Sequence, residues 1–163
     1  MKMKFPRTVR FDASDANAFP EAADAGEWAV TGTSAFAHSD PEAMSNKERL
    51  AFRNGWLGTA SFGRATFIEV VEMSEQEHEA VVSVLAEYLV EHFGAPNLES
   101  ARNAARGETE YTAGLCDHPI GTMLGIEREF TDDGISERIR VFPKPEEGLH
   151  AKIWTVEEDE NEG

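Results

Sequence analysis

Cysteine is almost missing from this chain. Cys116 stands alone among 163 residues, which excludes an intrachain disulfide framework. No apolar run approaches the roughly 18 residues that a membrane-spanning helix needs. No apolar stretch follows the lysines of MKMKFPRTVR, so no signal peptide is expected and the cytoplasm is the default location. Basic residues are scarce as well, 15 against 31 acidic ones for a net charge of −16. Phosphate backbones and anionic lipid surfaces are bound through neutralising lysine and arginine, so neither nucleic acid nor a membrane is an expected partner.

What is present reads as one folded unit. At 40% hydrophobic and 28% charged residues the composition is that of an ordinary globular protein, and the length suits one domain with a real core. The clearest element is Ser74 to Phe93, SEQEHEAVVSVLAEYLVEHF. Ser74 and Glu77 have the spacing of a capping box. Val81, Val82, Leu85, Tyr88, Leu89 and Phe93, widened by Val84, recur at three and four and form one broad apolar face. Gly94 and Pro96 mark the stop.

Strand periodicity brackets this helix. Lys2 to Asp12 alternates, with Arg7 on the apolar side pointing to a sheet edge, and Glu27 to Ala37 reads as a second strand. Residues 12–26 read as a loop. Asp40-Pro41-Glu42 and Ser45…Glu48 are competing N-termini for a short helix ending at Asn54-Gly55, with Trp56 and Leu57 on the following turn. Ala60 to Met73 is the longest strand candidate, apolar on both faces and therefore central. Asn97 to Arg106 suits a short polar helix stopped by Gly107, with 108–119 irregular. Thr131-Asp132-Asp133-Gly134 joins two alternating runs, 123–130 and 135–142, as a hairpin. Leu149 to Val156 reads as a final strand. The expectation is an α+β fold: a mostly antiparallel sheet of about six strands, packed by one long amphipathic helix (74–93) and one or two short ones. The domain covers 1–156, and the acidic block 157–163 is expected to be a disordered tail.

Few residue patterns point to chemistry. Gly58-Thr-Ala-Ser-Phe-Gly63-Arg64-Ala65 has P-loop-like glycines but lacks the lysine and hydroxyl that bind phosphate and Mg²⁺, and a strand follows instead of a helix. His78 and His92 lie about 21 Å apart along their helix, too far to share a metal, and are expected in solvent and at the helix dipole's negative end. Cys116-Asp117-His118-Pro119 is the one cluster with metal or nucleophile chemistry, yet neighbouring side chains in extended backbone diverge. A base for Cys116 would have to come from elsewhere, with His38 and His150 available. Arg138 and Arg140 share a face from which Glu127 or Glu129 is reachable across the hairpin. An anion pocket would draw on Arg64 together with Arg128, Arg138 or Arg140. Arg64, His118 and Cys116 are therefore the candidate ligand-binding residues, with no metal and no cofactor expected.

The run WLGTASFGRATFIEV, with the preceding KERLAFRNG and the opening KFPRTVRFDASDANAF, resembles a functionally uncharacterised family of small acidic bacterial proteins. The resemblance implies a bacterial cytoplasmic protein and assigns no reaction, ligand or site. The leading expectation is a non-catalytic accessory or interaction domain that self-associates or binds a protein partner. The alternative is a protein that binds a small anionic molecule in an arginine-lined pocket.

Overall fold

A computed structural model describes residues 2–9, 19–36 and 39–142. The expected strand at 149–156, the acidic tail, His38 and His150 lie outside the described residues. The architecture is α+β, with the strands divided between two antiparallel sheets rather than gathered into one. The larger sheet has the order β1 (Lys2–Val9), β5 (Phe67–Ser74), β6 (Met123–Thr131), β7 (Gly134–Phe142). The smaller runs β2 (Ala29–Val30), β3 (Trp56–Gly58), β4 (Arg64–Ala65). The run 60–73 is thus split, its start serving one sheet and its end the other. Trp56 and Leu57 are buried strand residues, not a turn. The expected strand 27–37 keeps two strand residues, turns at Gly32 and closes as a 3-10 turn over Thr33–Phe36.

Helix starts follow local chemistry. Ser45 and Ser74 each cap a helix with a full capping box, closed by Glu48 and Glu77, at the heads of α1 (Asn46–Asn54) and α2 (Glu75–Phe93). Asp40 caps its own short 3-10 turn over Pro41–Ala43, so both competing starts are used. Gly94 ends α2 in the left-handed conformation at φ 70°.

α3 (Leu98–Gly114) corrects the sequence reading: it passes through Gly107 and absorbs residues 108–114, expected to be irregular. A helical glycine costs about 1 kcal/mol, less than the packing of Ala101, Ala105, Thr109 and Thr112, all buried. These small side chains form the stripe that lets α3 lie on α2. His78 is a second correction. It is buried, not in solvent, with Nε2 2.9 Å from Thr109 Oγ1. Thr109 Oγ1 also lies 3.1 Å from the Arg106 carbonyl, so its hydroxyl links the His78 ring to the backbone of α3. Val84 and Phe93, counted in the apolar face of α2, are exposed.

β5 is covered on both sides, as its two apolar faces require. On one side Phe5 and Met73 pack with Val81, Val82, Leu85 and Ala86 of α2 and the alanines of α3. On the other, Ile68, Val70, Leu124 and Ile126 meet Ala29, Trp56 and Cys116. Fully burying each large side chain is worth about 1.5–3 kcal/mol. No helix among the described residues is long and apolar enough to cross a membrane.

The glycine-punctuated loop between β3 and β4 does cradle an anion, but an internal one. Glu27 accepts N–H bonds from Asp24 (2.7 Å), Ala60 (3.0 Å) and Ser61 (2.9 Å). A side chain at Gly58 would collide with that carboxylate. Burial raises the Glu27 pKa, but the bonds from Ser61, Asp24 and Ala60 outweigh it and hold the value below the ordinary 4.5. A carboxylate with a depressed folded pKa stabilises the fold above the unfolded pKa, and that contribution is lost as pH falls through the folded value. Glu27→Gln should therefore lower stability at pH 7 by roughly 1–3 kcal/mol, and the gap to wild type should close as pH drops below about 4.5. Urea denaturation at pH 7, 5 and 3 checks this; a gap that persists at pH 3 contradicts it.

Candidate functional site

Two arginines meet beneath the Thr33–Phe36 turn. Their guanidinium carbons lie 4.6 Å (Arg64) and 5.4 Å (Arg128) from the centre of the Phe36 ring, within cation–π range. Their surroundings give them different work.

Arg128 is a structural staple. In β6 it continues the inward face of Leu124 and Ile126, and its side chain is fully buried. Nη1 donates to the Phe52 carbonyl at 2.7 Å, where α1 ends, and Nη2 donates to the Thr31 carbonyl. Nε donates to Thr33 Oγ1 at 2.7 Å and lies 3.7 Å from Glu137, its cross-strand partner on β7. Glu137 accepts in turn from Thr33 and from the Tyr111 hydroxyl (2.6 Å). Burial lowers the Arg128 pKa to about 10, against the opposing pull of Glu137 and Glu108, so it stays protonated at neutral pH.

Arg64 is bonded only to backbone. Nη1 donates to the Gly55 carbonyl at 3.1 Å and Nη2 to the Gly32 carbonyl at 3.4 Å. It makes no ion pair among the described residues. Burial, and then the charge of Arg128, lower its pKa to about 9 against the opposing pull of Tyr88 and Glu108; at pH 7 it is still cationic. A Cβ on Gly32 would lie 2.6 Å from Arg64 Nη1, and Gly32 has φ 74°, so both space and backbone require glycine there.

Arg64 lines a cleft of about 510 Å³, within the range of small-molecule sites. Aromatic walls come from three elements: Phe36 from the turn, Phe62 from the β3–β4 loop and Tyr88 from α2. Phe62 has φ 58°, the one described non-glycine residue with positive φ, a conformation costing roughly 1–2 kcal/mol. Its ring stacks on Tyr88 with centroids 3.8 Å apart. Leu57, Met44 and Ala51 complete the apolar surface, while Glu21, Asp40 and Glu48 also line the cleft. A second, mostly apolar groove of about 310 Å³ shares Ala35, Leu57 and Tyr88 with it.

The structure brings together Arg64 and Arg128 but not Arg64 with His118 or Cys116, neither of which lines the cleft. Cys116 is fully buried between the sheets, and burial pushes its thiol up to about 12 despite the nearby charge of Lys4. His118 belongs to a tight turn, its N–H donating to the Cys116 carbonyl (2.8 Å) and its own carbonyl accepting from Lys4 Nζ (2.6 Å). Arg138 and Arg140 stand on the outer face of β7 and both bind Glu127, the pairing expected across the hairpin. Among the described residues no group of three or more His, Cys, Asp or Glu is arranged to hold a metal ion. The sequence reading missed Phe36, Phe62 and Tyr88 as cleft walls. The signal for Arg128 was present, since strand alternation lines it up with Leu124 and Ile126.

These features define an α+β domain with an aromatic cleft and a cationic floor. The chain belongs to a family of unknown function (DUF6505), which matches residues 3–160. No curated protein and no solved structure matches it.

Removing Arg128 strands Glu137 and the carbonyls of Thr31 and Phe52, so Arg128→Met should cost roughly 3–5 kcal/mol, the range for breaking a buried ion pair. Arg138→Ala, on the solvated face, should leave the unfolding midpoint nearly unchanged. Urea midpoints of the two variants against wild type make the comparison, and equal effects would contradict the staple role.

Proposed function

We propose that the protein is a non-catalytic binding domain that holds a small organic anion in the cleft floored by Arg64. The observation that carries this reading is a cleft-lining guanidinium with no carboxylate in ion-pair contact among the described residues, Glu108 acting on it only at longer range, in a chain with twice as many acids as bases. A guanidinium offers five N–H donors in a planar fork, and two of the Arg64 donors are used, both on carbonyls. A docking carboxylate would supply the direct ion pair that Arg64 lacks and accept from the remaining donors. The strained Phe62 supports the reading, because backbone strain gathers where a side chain is held for a purpose. No histidine, cysteine or lysine lines the cleft among the described residues, which favours binding over turnover. The single cysteine and the resemblance to uncharacterised bacterial proteins support a bacterial cytoplasmic setting.

The test is calorimetric titration with benzoate and acetate at low salt. Benzoate should bind and raise the melting temperature. Arg64→Gln should weaken it by roughly tenfold to a hundredfold, the loss of a charge-assisted hydrogen bond. Ala43→Trp, at an exposed lining residue that takes no part in the Arg64 bonds, should block it. Failure of both carboxylates to bind at millimolar concentration would overturn the reading.

A second reading, self-association or docking of a protein partner, is favoured by β7. This outer strand has no partner on its far side among the described residues, and its Val141 and Phe142 are exposed. Such an edge is a template for another strand. Light scattering over a concentration series should give the mass of two chains, reverting to one in Val141→Lys; a strict monomer sinks this reading.

A further inference from the structure

The charges lining the Arg64 cleft narrow the class of molecule that fits it. Beside the one guanidinium stand three carboxylates, Glu21, Asp40 and Glu48. Two of them are fixed by capping: Asp40 Oδ1 accepts from Glu42 N–H (3.0 Å) and Glu48 Oε1 from Ser45 N–H (2.8 Å). Glu21 is held beside Arg64 by the backbone, since the Arg64 N–H donates to the Glu21 carbonyl at 2.8 Å and Ala22 is bridged to Arg64. The Glu21 side chain is exposed. A bare anion drawn to Arg64 therefore enters a cleft lined by three like charges, within a protein that already carries −16. A ligand that carries a cation next to its anion turns that repulsion into attraction. The ring faces of Phe36, Phe62 and Tyr88 suit both an apolar body and a neighbouring cation. The adjoining groove, entered past Leu57 and Tyr88, adds apolar room.

We infer that the cleft takes a zwitterion with an apolar body, the charge pattern of a free apolar or aromatic amino acid. Its carboxylate sits on Arg64 and its ammonium faces Glu21. This rests on the reading of the cleft as an anion site and adds the cationic half. The full chain is titrated with L-phenylalanine, N-acetyl-L-phenylalanine and L-phenylalaninamide, with L-leucine and its N-acetyl and amide forms in parallel. The expected result is that the free amino acids bind roughly tenfold or more tighter than either blocked form. Glu21→Gln should narrow the gap between each free amino acid and its N-acetyl form from both sides, weakening the free amino acid and tightening the N-acetyl form, whose repulsion it relieves. N-acetyl forms that bind as tightly as the free amino acids, and depend on Arg64, would overturn this inference and leave the anion reading standing. Binding by the amides alone, or by none of the carboxylates, would overturn both.

Discussion

The buried guanidinium of Arg128 is the interaction on which the arrangement of the site depends. It joins parts of the chain far apart in sequence: the end of α1 at Phe52, the Thr31–Thr33 segment and Glu137 on β7. Burying a cation is costly unless its donors and charge are answered, and here carbonyls, a hydroxyl and a carboxylate answer them. Because each partner comes from a different element, satisfying Arg128 fixes where the Thr33–Phe36 turn lies against the larger sheet. That turn carries Phe36, and Phe36 is the surface against which Arg64 rests.

The contrast between the two arginines shows how position assigns a role to identical chemistry. Arg128 has its carboxylate on the neighbouring strand. Arg64 sits on the short β4 of the other sheet, where its acceptors are the carbonyls of Gly32 and Gly55. One cation is neutralised inside the protein and the other faces a cleft. Glu27 is the mirror case, an anion consumed internally by the backbone N–H groups of a glycine-bearing loop. The loop has the look of a phosphate cradle because the same donors serve any carboxylate or phosphate that reaches them. In this chain the anion that reaches them is its own.

Much of the fold was legible in the residues because its causes are local. Ser45 and Ser74 announce their helices within four residues, Gly94 ends one within a single residue, and the Thr131–Gly134 turn sets the register of β6 on β7. The two apolar faces of β5 correctly signalled a strand covered on both sides. What was misread has non-local causes. Gly107 interrupts α3 by propensity alone, and α2 lying against its small residues keeps the helix whole. His78 reads as a solvent residue until Thr109, 31 positions away, meets its ring. Trp56 and Leu57 follow a helix stop and read as a turn, yet pairing with β2 and β4 makes them strand.

By itself, then, the amino-acid sequence determined the α+β class, the helix caps, the hairpin and the charge balance. These follow from propensities and periodicities spanning a few residues. Only the tertiary structure decided which of the candidate residues share a site. It left Cys116 and His118 out of the lining of the Arg64 cleft, set Arg128 against the same Phe36 ring, and supplied aromatic walls from Phe36, Phe62 and Tyr88. The physical reason is that a cleft is made by the packing of elements distant in the chain, and no local pattern encodes which side chains that packing leaves without a partner.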